Sequence, residues 1–388
     1  MPSVQSGGGS RKRLLYQIVF LGSIPLTVIT KNLVQRVSAL RGMRPRHVLR
    51  LCMMLLGSVL LSPVHLYESI RWRRAVARVS VQDPIFVIGH WRSGTTHFHY
   101  LLSRTSTFGV VTMLQASFPG IFLTMGAFLR RHFPLPESRP MDMTRWTLGS
   151  PQEEEIALSK MVQHSFFTQL LTPNTLIASF EHAVLLRGNP KALVAWKKAY
   201  STVLKKATLA ADGKALILKN PANTGRIAVL LEMFPDARFV YVHRHPYEVF
   251  QSMNRFYRSL FGLLSLQDHS EDQVIESTLS GYEILTRRYL ADREQIPAGH
   301  LLEVYFDDLV RDPVSTIRSV YEGFGLEGFE ESSPRLQEYL RSTQGYRAAS
   351  TALDAEDIDL VDQRWGFAFD AFGYPREGAL KRGQGMAE

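Results

Sequence analysis

Cysteine is nearly missing from this chain: 388 residues contain one, Cys52. That excludes a disulfide framework and any site built from several thiolates, and it suits a reducing compartment. Acidic residues are scarce in one place only. Residues 1–80 hold a single acid, Glu68, against thirteen Lys or Arg, a net of +12. The remaining residues hold 32 basic and 35 acidic side chains, a net of −3, so the overall charge of +9 belongs to the N-terminus. A long apolar run is lacking too. The two uncharged stretches, 14–30 and 51–67, are 17 residues each and each contains a proline. That is the lower limit for crossing a bilayer. Low complexity is confined to 6–10, and no internal repeat is present.

Arginine clusters flank those stretches, at 11–13, 41–50 and 71–74. Apolar runs between basic clusters suit an anionic membrane surface better than a groove that tracks nucleic-acid phosphates. No A-x-A-like cleavage site comes after the first stretch, which argues against a secretory leader. The expectation is a helical, membrane-associating N-terminal appendage over residues 1–80, an anionic membrane surface as partner, no nucleic acid, and a cytoplasmic protein held peripherally or monotopically at the membrane face.

From residue 84 onward short apolar runs alternate with helical patterns, which predicts an α/β domain over 81–388 with a mostly parallel sheet covered by helices on both faces. Strands are expected at 84–90, 215–219, 238–243 and 300–305, and helices at 94–105, 156–171, 192–209, 224–233, 246–262, 272–295 and 313–325. The most informative segment is the first strand together with the loop and helix start behind it. Ile85-Phe-Val-Ile-Gly89-His-Trp-Arg92-Ser93-Gly94-Thr95-Thr96 is a strand, a tight glycine-flanked loop and a helix start. Two glycines five apart before Thr95-Thr96 give the frame of a phosphate-binding P-loop. Thr95 stands where such loops carry lysine, and the basic group is Arg92 inside the loop. Backbone N–H groups and the helix N-terminus behind them make a concave anion site. Arg92 adds a planar fork that can grip an oxyanion.

Two further segments end apolar strands in a cation. Ala215-Leu-Ile-Leu-Lys219 is followed by Asn220-Pro221, with Asn223, Thr224 and Arg226 opening the next element. Arg238-Phe-Val-Tyr-Val-His-Arg244 is followed by Pro246, and Ser252 lies about two helical turns beyond it. In an open α/β sheet the carboxyl ends of strands face the ligand crevice. A nucleotide triphosphatase needs a magnesium-holding carboxylate at such an end. The strand ends carry Lys219 and Arg244 instead, so no metal site is expected. His90, His97 and His99 surround the loop, but no spacing around them suggests metal ligands; His90 is placed to line the pocket and the other two to pack on the helix.

Together these segments resemble the PAPS-dependent sulfotransferase family. The resemblance lies in RSGTT, in FPDA-x-F ending in Arg244 with Ser252 eight residues on, and in the bacterial-type motifs GH-x-RSGTT, PQE-x-E and LK-x-P, over about residues 83–375. It implies that Arg92, Ser93, Gly94, Thr95 and Thr96 hold the 5′-phosphosulfate of 3′-phosphoadenosine 5′-phosphosulfate (PAPS), that Arg244 and Ser252 hold its 3′-phosphate, and that Lys219 meets the bridging oxygen of the leaving phosphate. It also implies that transfer needs no metal. His245 departs from the family's R-D-P, and Phe306 and Asp307 depart from its V-x-Y-E-D-L. Arg347 is a further candidate for the 3′-phosphate.

Sulfuryl transfer to a hydroxyl needs a base for the acceptor's proton. In the family's cytosolic small-molecule enzymes it is a His two residues after the lysine, where this chain has Pro221. Ser150-Pro-Gln-Glu153-Glu154-Glu155 offers carboxylates at a helix start, a placement also explained by the helix dipole. Successive helical residues point about 100° apart, so the three cannot share one direction. Glu153 and Glu155 match the acids of PQE-x-E, with Glu153 as first candidate for the base and Glu155 as second. The insertion 108–147, rich in Phe, Met and Pro, is expected to line an acceptor pocket for a lipid, glycolipid or sterol-like hydroxyl. The competing readings are a non-catalytic nucleotide-binding protein at a membrane and a P-loop kinase.

Overall fold

The computed structural model describes residues 45–105, 107–135, 147–342 and 353–376. The uncharged stretch 14–30 and Arg347 lie outside the described residues.

The four strands predicted from apolar runs, joined by a short fifth that was not predicted, form one parallel sheet. β1 (Ile85–Ile88) lies at its centre, β2 (Gly109–Val110) and β3 (Leu216–Lys219) on one side, and β4 (Arg238–His243) and β5 (Leu301–Tyr305) on the other, in the order β2-β3-β1-β4-β5. β1 is buried on both faces, as its unbroken Ile-Phe-Val-Ile requires. Its side chains alternate between two cores: Phe86 and Ile88 join Leu216, Leu218, Phe239 and Tyr241, whereas Ile85 and Val87 join Ile217, Val240 and Val242. Register aligns Val87 with Lys219 and Ile88 with Tyr241. The carboxyl ends of β3, β1 and β4 therefore lie side by side, and the chain leaves the central strand between neighbours reached in opposite directions. That is the crevice position of an open α/β sheet.

Helix α1 (Pro45–Arg71) precedes the sheet, and α2 (Thr95–Leu102) comes directly after the β1 loop. The insertion after β2 folds into α3 (Met113–Ser117) and α4 (Phe122–His132). The single helix expected over 156–171 is instead two short ones, α5 (Glu154–Leu158) and α6 (Phe166–Gln169). Two long-range demands break it. Lys160 is fully buried and donates to the carbonyl oxygens of Ala116 (3.3 Å) and Ser117 (2.6 Å) at the end of α3. Glu155 Oε1 accepts the N–H of Phe166 (2.8 Å). Later come α7 (Pro190–Ala210), α8 (Pro246–Leu264), α9 (Glu271–Asp292), α10 (Phe306–Arg311) and α11 (Ala355–Phe372).

Helix α1 is docked by the one acid of the N-terminal segment. Glu68 is 1% exposed. It pairs with Lys206 of α7 through Oε1, and its Oε2 accepts the N–H of Thr124 on α4 at 2.9 Å. Lys206 also donates to the carbonyl oxygen of Pro119 at 2.5 Å. Ile70 and Val59 of the same helix are exposed, so this polar anchor is central to the seating of α1. Removing one partner of a buried pair leaves the other charge unpaired, which costs about 3–5 kcal/mol. Glu68→Ala should lower stability by that order in chemical denaturation. Glu68→Leu combined with Lys206→Met should recover much of the loss; a double variant as unstable as the two single losses summed would show that the pair acts independently.

Candidate active site

The backbone of the loop after β1 takes tight, strained turns. Gly89 (φ 138°), Arg92 (φ 71°) and Gly94 (φ 98°) all have positive φ. At Gly89 a Cβ would sit 2.2 Å from the carbonyl oxygen of Val242, and at Gly94 2.1 Å from the ring of Phe306. Neither position accepts a side chain. Arg92 adopts its conformation without glycine's freedom, at a cost on the order of 1–3 kcal/mol of the kind concentrated at functional sites. Gly94 begins α2 with no side-chain cap, so the first N–H groups of that helix have no capping oxygen and its positive end faces the loop. Thr224, two residues before Arg226, clamps the loop's entry. Its hydroxyl accepts the N–H of Gly89 at 2.7 Å and lies 3.0 Å from the Gly89 carbonyl.

The two halves expected to hold opposite ends of the donor are in contact. Arg92 Nε donates to Ser252 Oγ at 2.9 Å, bridging the loop and α8. Arg244, at the end of β4, pairs with Glu248 one turn into α8, and its guanidinium lies over the Phe306 ring at 4.5 Å. Phe306 thus touches both Gly94 and Arg244. Arg255, three residues after Ser252 and exposed, lies close enough to Arg244 and Arg258 that their charges, after burial, pull its pKa below the ordinary value. Ser93 is different from the expectation. Its hydroxyl lies 2.8 Å from the carbonyl oxygens of both His90 and Val242, and its N–H goes to His90, so its side chain ties the loop to β4. Thr95 is buried and Thr96 half-buried at the first turn of α2. His90 is turned into the core, 3% exposed and packed on Tyr282 and Trp91, with burial holding its pKa down to about 4; it does not line a pocket. His245 packs on Tyr247, Phe369 and Tyr374, which accounts for an aromatic ring at that turn.

The three consecutive glutamates have three separate tasks. Glu153 Oε1 accepts from Lys219 Nζ at 2.5 Å, while its Oε2 is buried without a hydrogen-bond partner. Glu154 is fully buried. Its Oε1 accepts the backbone N–H of Lys219 at 3.0 Å, and burial raises its pKa to about 8 against the opposing charge of Lys219. Glu155 is fully buried in a two-pronged pair with Arg226 (2.7 and 3.2 Å) and also accepts from Asn220 (2.9 Å) and the N–H of Phe166. Its oxygens are committed. Below the site His99 is buried, and burial together with Lys219 lowers its pKa to about 3. Asn223, Thr224 and Arg226, which no sequence motif singles out for chemistry, are the braces of this arrangement. Among the described residues no cluster of three His, Cys, Asp or Glu is placed to hold a metal.

A family model described as "Sulfotransferase family" matches residues 84–331. This chain belongs to that family. Among its curated relatives is the omega-hydroxy-beta-dihydromenaquinone-9 sulfotransferase Stf3 of Mycobacterium bovis, 32% identical over 321 residues that cover 82% of each protein. The sulfotransferase fold is shared with STF9 from Mycobacterium avium (TM-score 0.69, 20% identity, covering 97% of this chain and 99% of that one). It is shared as well with STF1 from Mycobacterium tuberculosis H37Rv (TM-score 0.62, 20% identity, covering 91% and 92%). The α/β fold with a parallel sheet expected from the sequence is therefore borne out, and the chain is a sulfotransferase rather than a kinase or a non-catalytic binder. The co-substrate of the family is PAPS. The residues present fit such a donor: an uncapped helix start behind the loop for one phosphate, Arg92 in contact with Ser252 of α8, and Arg244 at the end of the neighbouring strand.

Glu154 gives this sulfotransferase a pH-dependent stability term. Its pKa rises from an ordinary 4.5 to about 8 on folding, so the native state holds its proton more tightly. That contribution is complete below the ordinary value and is lost as the pH rises through about 8. Glu154→Gln, which keeps the shape of the neutral acid, should therefore gain stability relative to the unaltered chain between pH 5 and 8. Denaturant midpoints of the two proteins across that range provide the measurement, and a constant difference would count against it.

Proposed function

We propose that this sulfotransferase moves the sulfuryl group of PAPS to a hydroxyl on an apolar, lipid-like acceptor, with Glu153 as the base. The observation that carries the reading is the Glu153–Lys219 contact with Glu153 Oε2 left unpaired. PAPS supplies an activated sulfuryl group and a phosphate leaving group. Gly94, Thr95 and Thr96 offer N–H groups to the 5′ end, and Arg92 and Lys219 offer positive charge. Arg244 and Ser252 hold the 3′-phosphate, with Arg255 beside them. Glu153 takes the acceptor's proton on Oε2. Once neutral it attracts Lys219 less, and the ammonium can turn to the charge on the departing phosphate. Preorganised cations and dipoles supply most of the effect in transfers of this kind. Glu155, with every oxygen engaged on Arg226, Asn220 and Phe166, serves as a brace in this reading.

The segment leading to the base is apolar and packed into the main core through Met113, Leu114, Phe118, Ile121 and Phe122, and it is bonded into 148–152: Met113 N–H to Ser150, Leu114 N–H to Leu148 and Gln152 N–H to Val111. By its name the relative Stf3 acts on a hydroxylated dihydromenaquinone. A lipid hydroxyl is the acceptor proposed here, met at a cytoplasmic membrane surface.

Arg244→Ala and Ser252→Ala should weaken 3′-phosphoadenosine 5′-phosphate far more than adenosine 5′-phosphate, because only the first carries the 3′ group. A lost charge-assisted contact costs about 1.5–3 kcal/mol. Calorimetric titration with both nucleotides checks this, and equal losses would sink the assignment. Glu153→Gln should cut turnover roughly 10²–10⁴-fold with donor affinity nearly intact. Glu155→Ala should instead lower stability, by about 3–5 kcal/mol, through the stranded Arg226. Turnover with radiolabelled PAPS and melting curves of both variants separate the two roles; a fully active Glu153→Gln enzyme places the base elsewhere.

A further inference from the structure

Helix α1 presents two opposite sides, and the apolar one has no protein partner among the described residues. At 100° per residue, Ser58, Leu61, His65 and Glu68 share the side that meets the domain. Ser58 and Glu68 are buried, and Leu61 packs on the core. Leu56, Val59, Leu60, Leu66, Tyr67 and Ile70 share a stripe roughly 120° wide on the other side. Each is between 51% and 68% exposed. Six large apolar side chains in one exposed stripe mark an interaction surface, since scattered single ones would need no explanation.

Helix α4, which meets the buried side of α1, carries an exposed apolar residue of its own. Thr124 of α4 gives its N–H to Glu68, and Phe128, one turn further along α4, is 56% exposed. Arginines follow both. Arg71, Arg73, Arg74 and Arg78 are exposed just past Ile70, and Arg130 and Arg131 are exposed just past Phe128. Glu68, the only acid of residues 1–80, is hidden against the domain. An apolar centre with a rim of one sign suits a surface of the opposite sign. A second copy of this chain fits poorly, because a two-fold contact through this face would set arginine rims against each other. No described helix is long and apolar enough to cross a membrane.

We propose that the face formed by α1 and α4 docks on an anionic lipid bilayer, with α1 lying along the interface and its arginines at the headgroups. The proposal rests on the reading of the acceptor as a lipid. It also connects the docking face to the chemistry. Glu68 and Lys206 fix Thr124 and Pro119; Lys160 fixes Ala116 and Ser117; and Val111 accepts the N–H of Gln152, next to Glu153. A bilayer against α1 and α4 therefore meets the same insertion that leads to the proposed base.

The test uses the full chain and sedimentation with phosphatidylcholine vesicles, with or without phosphatidylglycerol. The unaltered protein should sediment with the anionic vesicles. Leu60→Glu with Leu66→Glu, and separately Phe128→Glu, should each reduce the bound fraction about tenfold or more. Arg73→Glu with Arg74→Glu should remove the preference for phosphatidylglycerol. Binding of 3′-phosphoadenosine 5′-phosphate, and labelled-sulfur transfer to a detergent-dispersed lipid extract, should stay unchanged in the Leu60/Leu66 and Arg73/Arg74 variants. Vesicle binding equal to the unaltered protein's in both the Leu60/Leu66 and Phe128 variants overturns the proposal. So does a dimer in analytical ultracentrifugation that the Leu60 and Leu66 charges dissociate, since the stripe would then be covered by a second copy. If the unaltered chain sulfates the dispersed extract but ignores vesicles, docking fails and the lipid acceptor stands. If it binds vesicles but labels no lipid, the acceptor reading fails instead.

Discussion

The site depends on an ion pair buried wholly inside the protein. Glu155 and Arg226 are both fully buried, and each is saturated. The carboxylate accepts from Arg226 twice, from Asn220 and from Phe166, while the guanidinium donates also to the carbonyl oxygens of Ala183 (2.8 Å) and Val184 (2.7 Å) and lies 4.9 Å from the Trp196 ring. Burying two such charges costs several kcal/mol each unless their hydrogen bonds are satisfied. That saturation makes the pair tolerable and also makes it specific, because it joins α5, the start of α6, the turn after β3 and the segment before α7. With Glu155 fixed, helical geometry leaves its two predecessors little choice. Glu154 enters the core against the backbone of Lys219, and Glu153 stays at the edge beside the Lys219 ammonium.

The fold was legible where it is local. Apolar runs of four to six residues ending in Gly89, Lys219 and Arg244 marked strands whose ends line the crevice, and the register confirms their alignment. The contact of Arg92 with Ser252, 160 residues apart, brings together two motifs first joined only by a family pattern. What was not legible is long-range. Nothing around Ser93 announces that its hydroxyl faces β4, and nothing near Thr224 announces Gly89, 135 residues away. The helical pattern over 156–171 was real, but Lys160 and Glu155 have stronger obligations outside it. Three acids in a row read as a dipole-complementing helix start, and no periodicity could tell which one would lose its charge to burial.

The charge asymmetry has a similar explanation. A single acid among thirteen cations looks incidental in sequence, yet Glu68 is the residue that seats α1. Its partner, Lys206, is held below its ordinary pKa by burial, against the pull of Glu68 itself. A division at residue 80 describes composition well. Packing cuts across it, because α1 meets α4 and α7 through this pair.

The same economy governs the reaction centre. Strand ends that would carry a metal-holding acid in a nucleotide triphosphatase carry Lys219 and Arg244 here, with Arg92 in the loop between them. Cations so close repel one another and must be held. Glu248 and the Phe306 ring hold Arg244, Ser252 receives Arg92, and Glu153 holds Lys219. In the reaction proposed above, Glu153 is the partner that changes its charge, by accepting a proton from a hydroxyl. In the proposed reaction the ammonium is thus restrained until the acceptor is deprotonated, and its charge becomes available in the same step in which the leaving phosphate acquires its own. The neutral Glu154 beneath favours this order. A second carboxylate charge beside Lys219 would keep the ammonium in place, and burial, which raises the Glu154 pKa to about 8, works against that charge at neutral pH.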